Sequence, residues 1–337
     1  MEYEYANPII QNRLNLRLKK TFVGQLLLLE ILNLPAFAYI NGIFEKVLDA
    51  DEGITNEFIS QFAQMHGTNI FIHEEDYKIL HHSLREELTK QTRSLSIGDP
   101  KKNANKHVNL LSMQMGNLYD DPFNDELLSN QFQNSKNLSA LLLNNKDIHK
   151  GLYDSLSKSR YHYTLTQPLL SSIVLLSFLQ TTKLFNEREI ESLFLTSYFK
   201  DIGMSFIPRE KFELSHLTEF DKKLFADHSE NSMKILEGRV QLNKSQLNLI
   251  KNHHYLNYKI QSLVSNKPIP ENAEYLTGIE SMLVSALDIL VAMTQKRPYR
   301  EEVSPFKALE LLKKIISDEY PSEFKALVIF IKNFHSK

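Results

Sequence analysis

The pattern of apolar and polar positions divides the chain into three stretches. In the first, up to about residue 98, the apolar runs are short. One run from Phe22 to Leu34 ends at Pro35, and Ala36–Ile40 is separated from Ile43–Leu48 by Asn41-Gly42. Both turn residues tolerate positive φ, so this pair predicts a tight hairpin. Thr55, with Glu57 and Phe58 behind it, opens a helix predicted to reach His66-Gly67. Asn69–His73 predicts a third strand, and a charged amphipathic helix follows from Glu74. The second stretch, residues 99–148, turns to Asn, Gln, Ser and Lys with a breaker at Asp120-Asp121-Pro122, and predicts a helical or loosely ordered connector. From His149 the periodicity is helical. Asn186 with Glu189 and Thr218 with Asp221 have the spacing of N-caps, and Ser304-Pro305 starts a helix. Between residues 150 and 337 this spacing predicts about five to seven helices and no strand.

Composition narrows the chemistry. At 337 residues the chain is long enough for two domains, and 42% apolar with 24% charged residues is the balance of a soluble globular protein. A net charge of −2 gives no basic field to draw it to a nucleic-acid polymer. Cysteine is absent, which excludes disulfides, thiolate nucleophiles and Cys-ligated metals and leaves His, Asp and Glu as metal ligands. The start, Met1 to Tyr5, lacks the basic and apolar regions of a signal peptide. The most apolar stretch, Leu169–Leu179, is shorter than the about 18 residues that a membrane span requires. The expected location is cytoplasmic.

Asp201, His228, the pair His253-His254 and Asp288 lie in separate helical segments, and helical bundles build metal sites by projecting one or two ligands from each facing helix. Taken singly, each has an ordinary reading as a satisfied core or surface residue. The adjacent His81-His82 point about 100° apart on a helix and read as surface residues.

The order and neighbours of these residues resemble the HD-GYP family. Lys200-Asp201-Ile202-Gly203-Met204-Ser205-Phe206-Ile207-Pro208 is similar to the family segment His-Asp-Ile-Gly-Lys-x-x-Ile-Pro. Asp227-His228-Ser229, Asn252-His253-His254, Asp288 through Ala292 to Thr294, Arg297-Pro298-Tyr299-Arg300 and Ser304-Pro305 follow in the family's order, from about Tyr163 to the C-terminus. The resemblance implies a mainly α protein: an HD-superfamily helical bundle over 149–337, preceded by a small α/β module over 1–98 and the connector. Residues Gly53 to Tyr77 resemble a small module that precedes such domains in predatory and related bacteria.

The resemblance further implies a cyclic di-GMP phosphodiesterase with two metal ions bridged by Asp201. One ion would be held by a first His, the His of the HD pair and Asp288; the other by His228 and one or both of His253 and His254. Here Gln167 stands at the first His, Lys200 at the HD His and Met204 at the following Lys, and no Gly-Tyr-Pro follows His254. Between Tyr255 and Ile279 the loop is longer, marked by Pro268 and Pro270. A protonated lysine cannot ligate a metal. The expectation is therefore a degenerate member that binds nucleotide or protein partners instead of hydrolysing. At most one divalent ion is expected, Fe or Mn, and Arg297 and Arg300 either face nucleotide or hold two helices together through their turn. Phosphodiesterase activity from an altered metal site, and a platform without nucleotide, are the alternatives; a homodimer is compatible with either. Charge balance makes two positions open to Lys200: its ammonium in the vacated place beside Asp201 and Asp288, or pointing to solvent at a helix edge.

Overall fold

The computed structural model describes residues 17–26, 29, 31–66, 69–94, 97–159, 162–266, 268–269, 278–298 and 300–335. Met1–Tyr5, Gly67, Pro270 and Tyr299 lie outside them.

The N-terminal strands are β1 (Leu18–Phe22), β2 (Ile31–Leu32), β3 (Ala36–Ile40), β4 (Ile43–Leu48), β5 (Glu52–Gly53) and β6 (Asn69–His73), with one-turn α1 (Val23–Leu26) after β1. Asn41 and Gly42 have φ of 51° and 88°, the positive values that the hairpin between β3 and β4 requires. The main sheet runs β1-β6-β3-β4 with antiparallel pairs, and β2 pairs with β5. Strand β1, which the apolar pattern does not predict, pairs with β6 in full register. Helix α2 (Asn56–His66) starts where Thr55 Oγ1 accepts from the Phe58 amide at 3.1 Å, and α3 (Tyr77–Ser94) completes the module.

Residues 99–148 form two long helices, α4 (Pro100–Asp120) and α5 (Asp125–Asn144). Asp99 and Asn124 cap them, and both present buried faces to the same core as the later helices. From His149 onward come α6 (His149–Ser157), α7 (Tyr163–Thr182), α8 (Glu187–Phe199), α9 (Glu219–Ala226), α10 (His228–Leu236), α11 (Lys244–Asn252), α12 (Tyr255–Ser265), α13 (Ile279–Met293), α14 (Pro305–Ile316) and α15 (Pro321–His335). These exceed the five to seven expected, because several are only two to three turns long and run together in a periodicity reading. Both predicted capping boxes are present: the Asn186 side chain accepts from the Glu189 amide, and that of Thr218 from the Asp221 amide.

Helix α7 is apolar nearly all round and forms the axis of the bundle. Among the described residues no helix is long and apolar enough to cross a membrane. Pro168 lies inside α7 and brings no N–H, so the carbonyl of Thr164 four residues earlier lacks its intrahelical donor. Tyr119 of α4 places its hydroxyl 3.3 Å from that oxygen. A break in one helix thus becomes a contact with another.

Candidate metal centre

Asp201 follows α8 directly and opens a 3-10 turn, Ile202–Phe206, that lies against α10. Only glycine fits at the next-but-one position: a Cβ on Gly203 would meet the carbonyl oxygen of His228 at 2.1 Å and the Ser232 nitrogen at 2.4 Å. The Gly203 amide donates to Ser232 Oγ at 2.8 Å, and this contact brings the Asp201 carboxylate to the first turn of α10.

Three imidazoles meet there. His228 opens α10, His253 closes α11, and His254 precedes α12. Their ligand atoms all lie within 4.8 Å of one another. Nε2 of His228 is 3.3 Å from Nε2 of His253, 3.1 Å from Nε2 of His254 and 3.1 Å from Asp201 Oδ1, and His253 Nε2 is 3.2 Å from the same oxygen. The far nitrogens are anchored. Nδ1 of His253 donates to the Ile250 carbonyl at 2.6 Å and that of His228 to the Phe225 carbonyl, so in both rings the Nε2 lone pair is turned inward. His254 Nδ1 accepts from the Asn257 side-chain amide at 2.8 Å. A half-turn of that amide would present its oxygen and open Nε2 of His254 as well. Burial, then the neighbouring His253 and His228, hold His254 well below the ordinary imidazole value and keep it neutral. Neutral imidazoles and one carboxylate oxygen converging on one point are a donor set for a single divalent ion of borderline softness.

The other side of Asp201 has different chemistry. Lys200, at the end of α8, is fully buried, and its ammonium bonds Asp201 Oδ2 and, at 2.8 Å, Asp288 Oδ1 of α13. Asp288 Oδ1 also accepts from Gln167 Nε2 and Ser171 Oγ of α7, both at 3.0 Å. Burial works against the Lys200 charge, but Asp201 and Asp288 together outweigh it and raise its pKa. Burial likewise works against the Asp201 charge, and Lys200, His228 and His253 hold this carboxyl well below the usual carboxylate range. The two halves of the centre are therefore joined through one carboxylate, with one oxygen for each. The space between Asp201 and Asp288 does not fit a metal ion, because an ammonium already satisfies both carboxylates.

Beyond Gln167, Arg297 donates to its Oε1 and stacks its guanidinium 4.7 Å from the Tyr163 ring. Arg300 instead donates to the Ala292 carbonyl at 2.5 Å, and the two arginines exchange backbone hydrogen bonds of 3.0 and 3.1 Å. Arg297 thus adjoins the centre, whereas Arg300 fastens the turn to the end of α13. The structure brings Asp201, His228, His253, His254, Lys200, Gln167 and Asp288 together. Met204 packs against the core, and His82 is exposed on α3. Ser171, Ser232 and Tyr119 were missed; Ser171 alone had a signal, lying one helical turn after Gln167.

No family model matches the sequence, and no curated protein does. The structure is similar to that of Bd1817, a HDG"Y"P protein from Bdellovibrio bacteriovorus, with a TM-score of 0.64 and 12% sequence identity. The fold is of the HD-GYP type. The match covers 94% of this chain and 100% of that one, so the likeness takes in the N-terminal module and the connector helices along with the bundle. An HD-GYP fold accounts for the arrangement of the centre: the ends of α8 and α11, the start of α10 and the middle of α13 converge beside α7.

Proposed function

We propose that this chain is a degenerate HD-GYP protein of bacterial cyclic di-GMP signalling, which binds nucleotide or a protein partner and does not hydrolyse the nucleotide. The observation that carries this reading is the Lys200 ammonium between Asp201 and Asp288. Two-metal phosphodiester cleavage depends on one ion to activate water and another to neutralise charge on the phosphate oxygens. A lysine fixed by two carboxylates supplies neither function, having no open coordination position and no free proton acceptor. Gln167 is likewise committed, donating to Asp288 and accepting from Arg297. The imidazole half keeps a donor set for one divalent ion, with iron or manganese expected from the family resemblance.

Arg297 is the residue assigned to nucleotide, since a planar guanidinium suits a phosphate or a guanine edge. The intact imidazole half with Asp201 favours a second reading, a residual phosphodiesterase with a single ion. One experiment separates them. Purified protein with added iron or manganese should turn over cyclic di-GMP at background rate while calorimetry detects binding. Robust turnover abolished by Asp201→Ala would establish the enzyme, and absence of both turnover and binding would leave a protein-binding platform.

A further inference from the structure

The last turn of α4 touches both the N-terminal module and the metal centre. Asp120 Oδ1 accepts from Arg209 Nη2 at 2.5 Å, and its Oδ2 lies 3.5 Å from the Tyr77 hydroxyl of α3. The ammonium of Lys19, on β1, sits 4.2 Å from the centre of the same Tyr77 ring, and its charge also reaches Asp120. Arg209 in turn donates to the Gly116 carbonyl at 3.3 Å and opens the 3-10 turn Arg209–Glu213, which ends the loop begun at Asp201. One residue before Asp120, Tyr119 points the other way. Its hydroxyl lies 3.3 Å from the Asp201 carbonyl and 3.3 Å from the Thr164 carbonyl, at the start of the helix that carries Gln167.

Neighbouring residues of one rigid turn thus hold different partners. Asp120 is divided between the module and the loop, and Tyr119 braces the backbone of the residue shared by both halves of the centre. Burial opposes the charge on Asp120, so this carboxylate depends on Arg209 and Lys19 staying in place.

We propose that the last turn of α4 couples docking of the N-terminal module to the metal centre, with Asp120 reading the position of Tyr77 and Lys19 and Tyr119 positioning Asp201. This rests on the reading of His228, His253, His254 and Asp201 as a metal site. Coupling of this kind is reciprocal: whatever the module does to metal affinity, metal binding does to the module.

The test uses the full chain and cobalt(II) in competition with a chromophoric chelator. Asp120→Asn should weaken cobalt binding by about fivefold, the lower end of ordinary coupling between sites. Tyr77→Phe should weaken it less and add nothing in the Asp120→Asn background, whereas Asp120→Glu should restore most of the affinity. Cobalt loading should also slow amide exchange over residues 69–94 in the wild type and not in Asp120→Asn. Wild-type affinity in folded Asp120→Asn and Tyr77→Phe, or additive effects of the two, would overturn the coupling. Should the wild type bind no cobalt, the metal reading fails, and amide exchange over residues 200–206 decides the coupling. Faster exchange there in metal-free Tyr77→Phe upholds it, and unchanged exchange overturns it.

Discussion

The two sides of Asp201 solve one electrostatic problem in different ways. On one side His228 and His253 bring Nε2 to 3.1 and 3.2 Å from its Oδ1 and His254 stands beside His228, an arrangement suited to an external cation. On the other, a cation is built into the chain: Lys200 meets Oδ2 and joins it to Asp288. Both sides balance the same buried carboxylate, but only the imidazole side can exchange its cation with solvent. Placing a charge on a side chain fixes the cation of that half within the chain. It also places a positive group beside the remaining site, which lowers the affinity of that site for an ion.

The largest effect should come from removing the built-in cation. Lys200→Met leaves Asp201 and Asp288 facing each other without a counter-charge, which should cost about 3–5 kcal/mol of stability in the metal-free protein. Denaturant unfolding measures this, and a loss below about 1 kcal/mol would show that the pair is solvated rather than dependent on Lys200. Gly203→Ala comes next. Its Cβ would collide with the backbone of α10 and push the Asp201 loop away, at a cost of about 3 kcal/mol, with loss of metal binding. Unchanged metal binding by Gly203→Ala would separate the turn from the imidazole side.

Acid should distinguish the halves. His254 has a depressed folded pKa, so its contribution to stability is present above the ordinary imidazole value and is lost as pH falls toward the folded value. Asp201 is also depressed, and its contribution is present above the ordinary carboxylate value and is lost as pH falls from there through the lower folded value. Between about pH 7 and about pH 5 the metal-free centre should lose stability through His254 and not through Asp201, on top of the loss from His81, His107, His149, His162 and His335, which burial also holds below the ordinary imidazole value. The same slope should appear in Lys200→Met; a steeper one would place an acid-sensitive group on the lysine side. The smallest effects are expected at Arg297 and Arg300. Arg297→Ala should weaken cyclic di-GMP by about 1.5 kcal/mol, roughly tenfold in Kd, by calorimetry. Arg300→Ala, which releases the Ala292 carbonyl at the end of α13, should weaken it less.

Local chemistry made much of this legible in the sequence. Asn41-Gly42, the caps at Asn186 and Thr218, and Ser304-Pro305 act through their nearest neighbours, and each marks its element in the structure. The connector was harder to read because several of its polar side chains are buried and donate to backbone carbonyls of the same two helices. Gln131 donates to the Leu111 carbonyl at 2.9 Å, and Ser135 and Ser139 donate to carbonyls three residues back, so a composition that suggests a linker belongs to core helices. At the centre, the imidazoles and carboxylates stood out as residue types. The donors to Asp288 did not, because Gln167 and Ser171 reach it across more than a hundred residues of sequence. Tyr119 was hidden for a related reason: its partner is a carbonyl exposed by Pro168, and no side-chain pattern marks a missing N–H.

If Lys200 occupies the place of one ion, the metal content per chain will show it. Wild-type protein reconstituted with iron or manganese should carry at most one ion, and Lys200→His combined with Gln167→His should carry two. A wild type that already holds two ions, or a double variant that gains none, would contradict it.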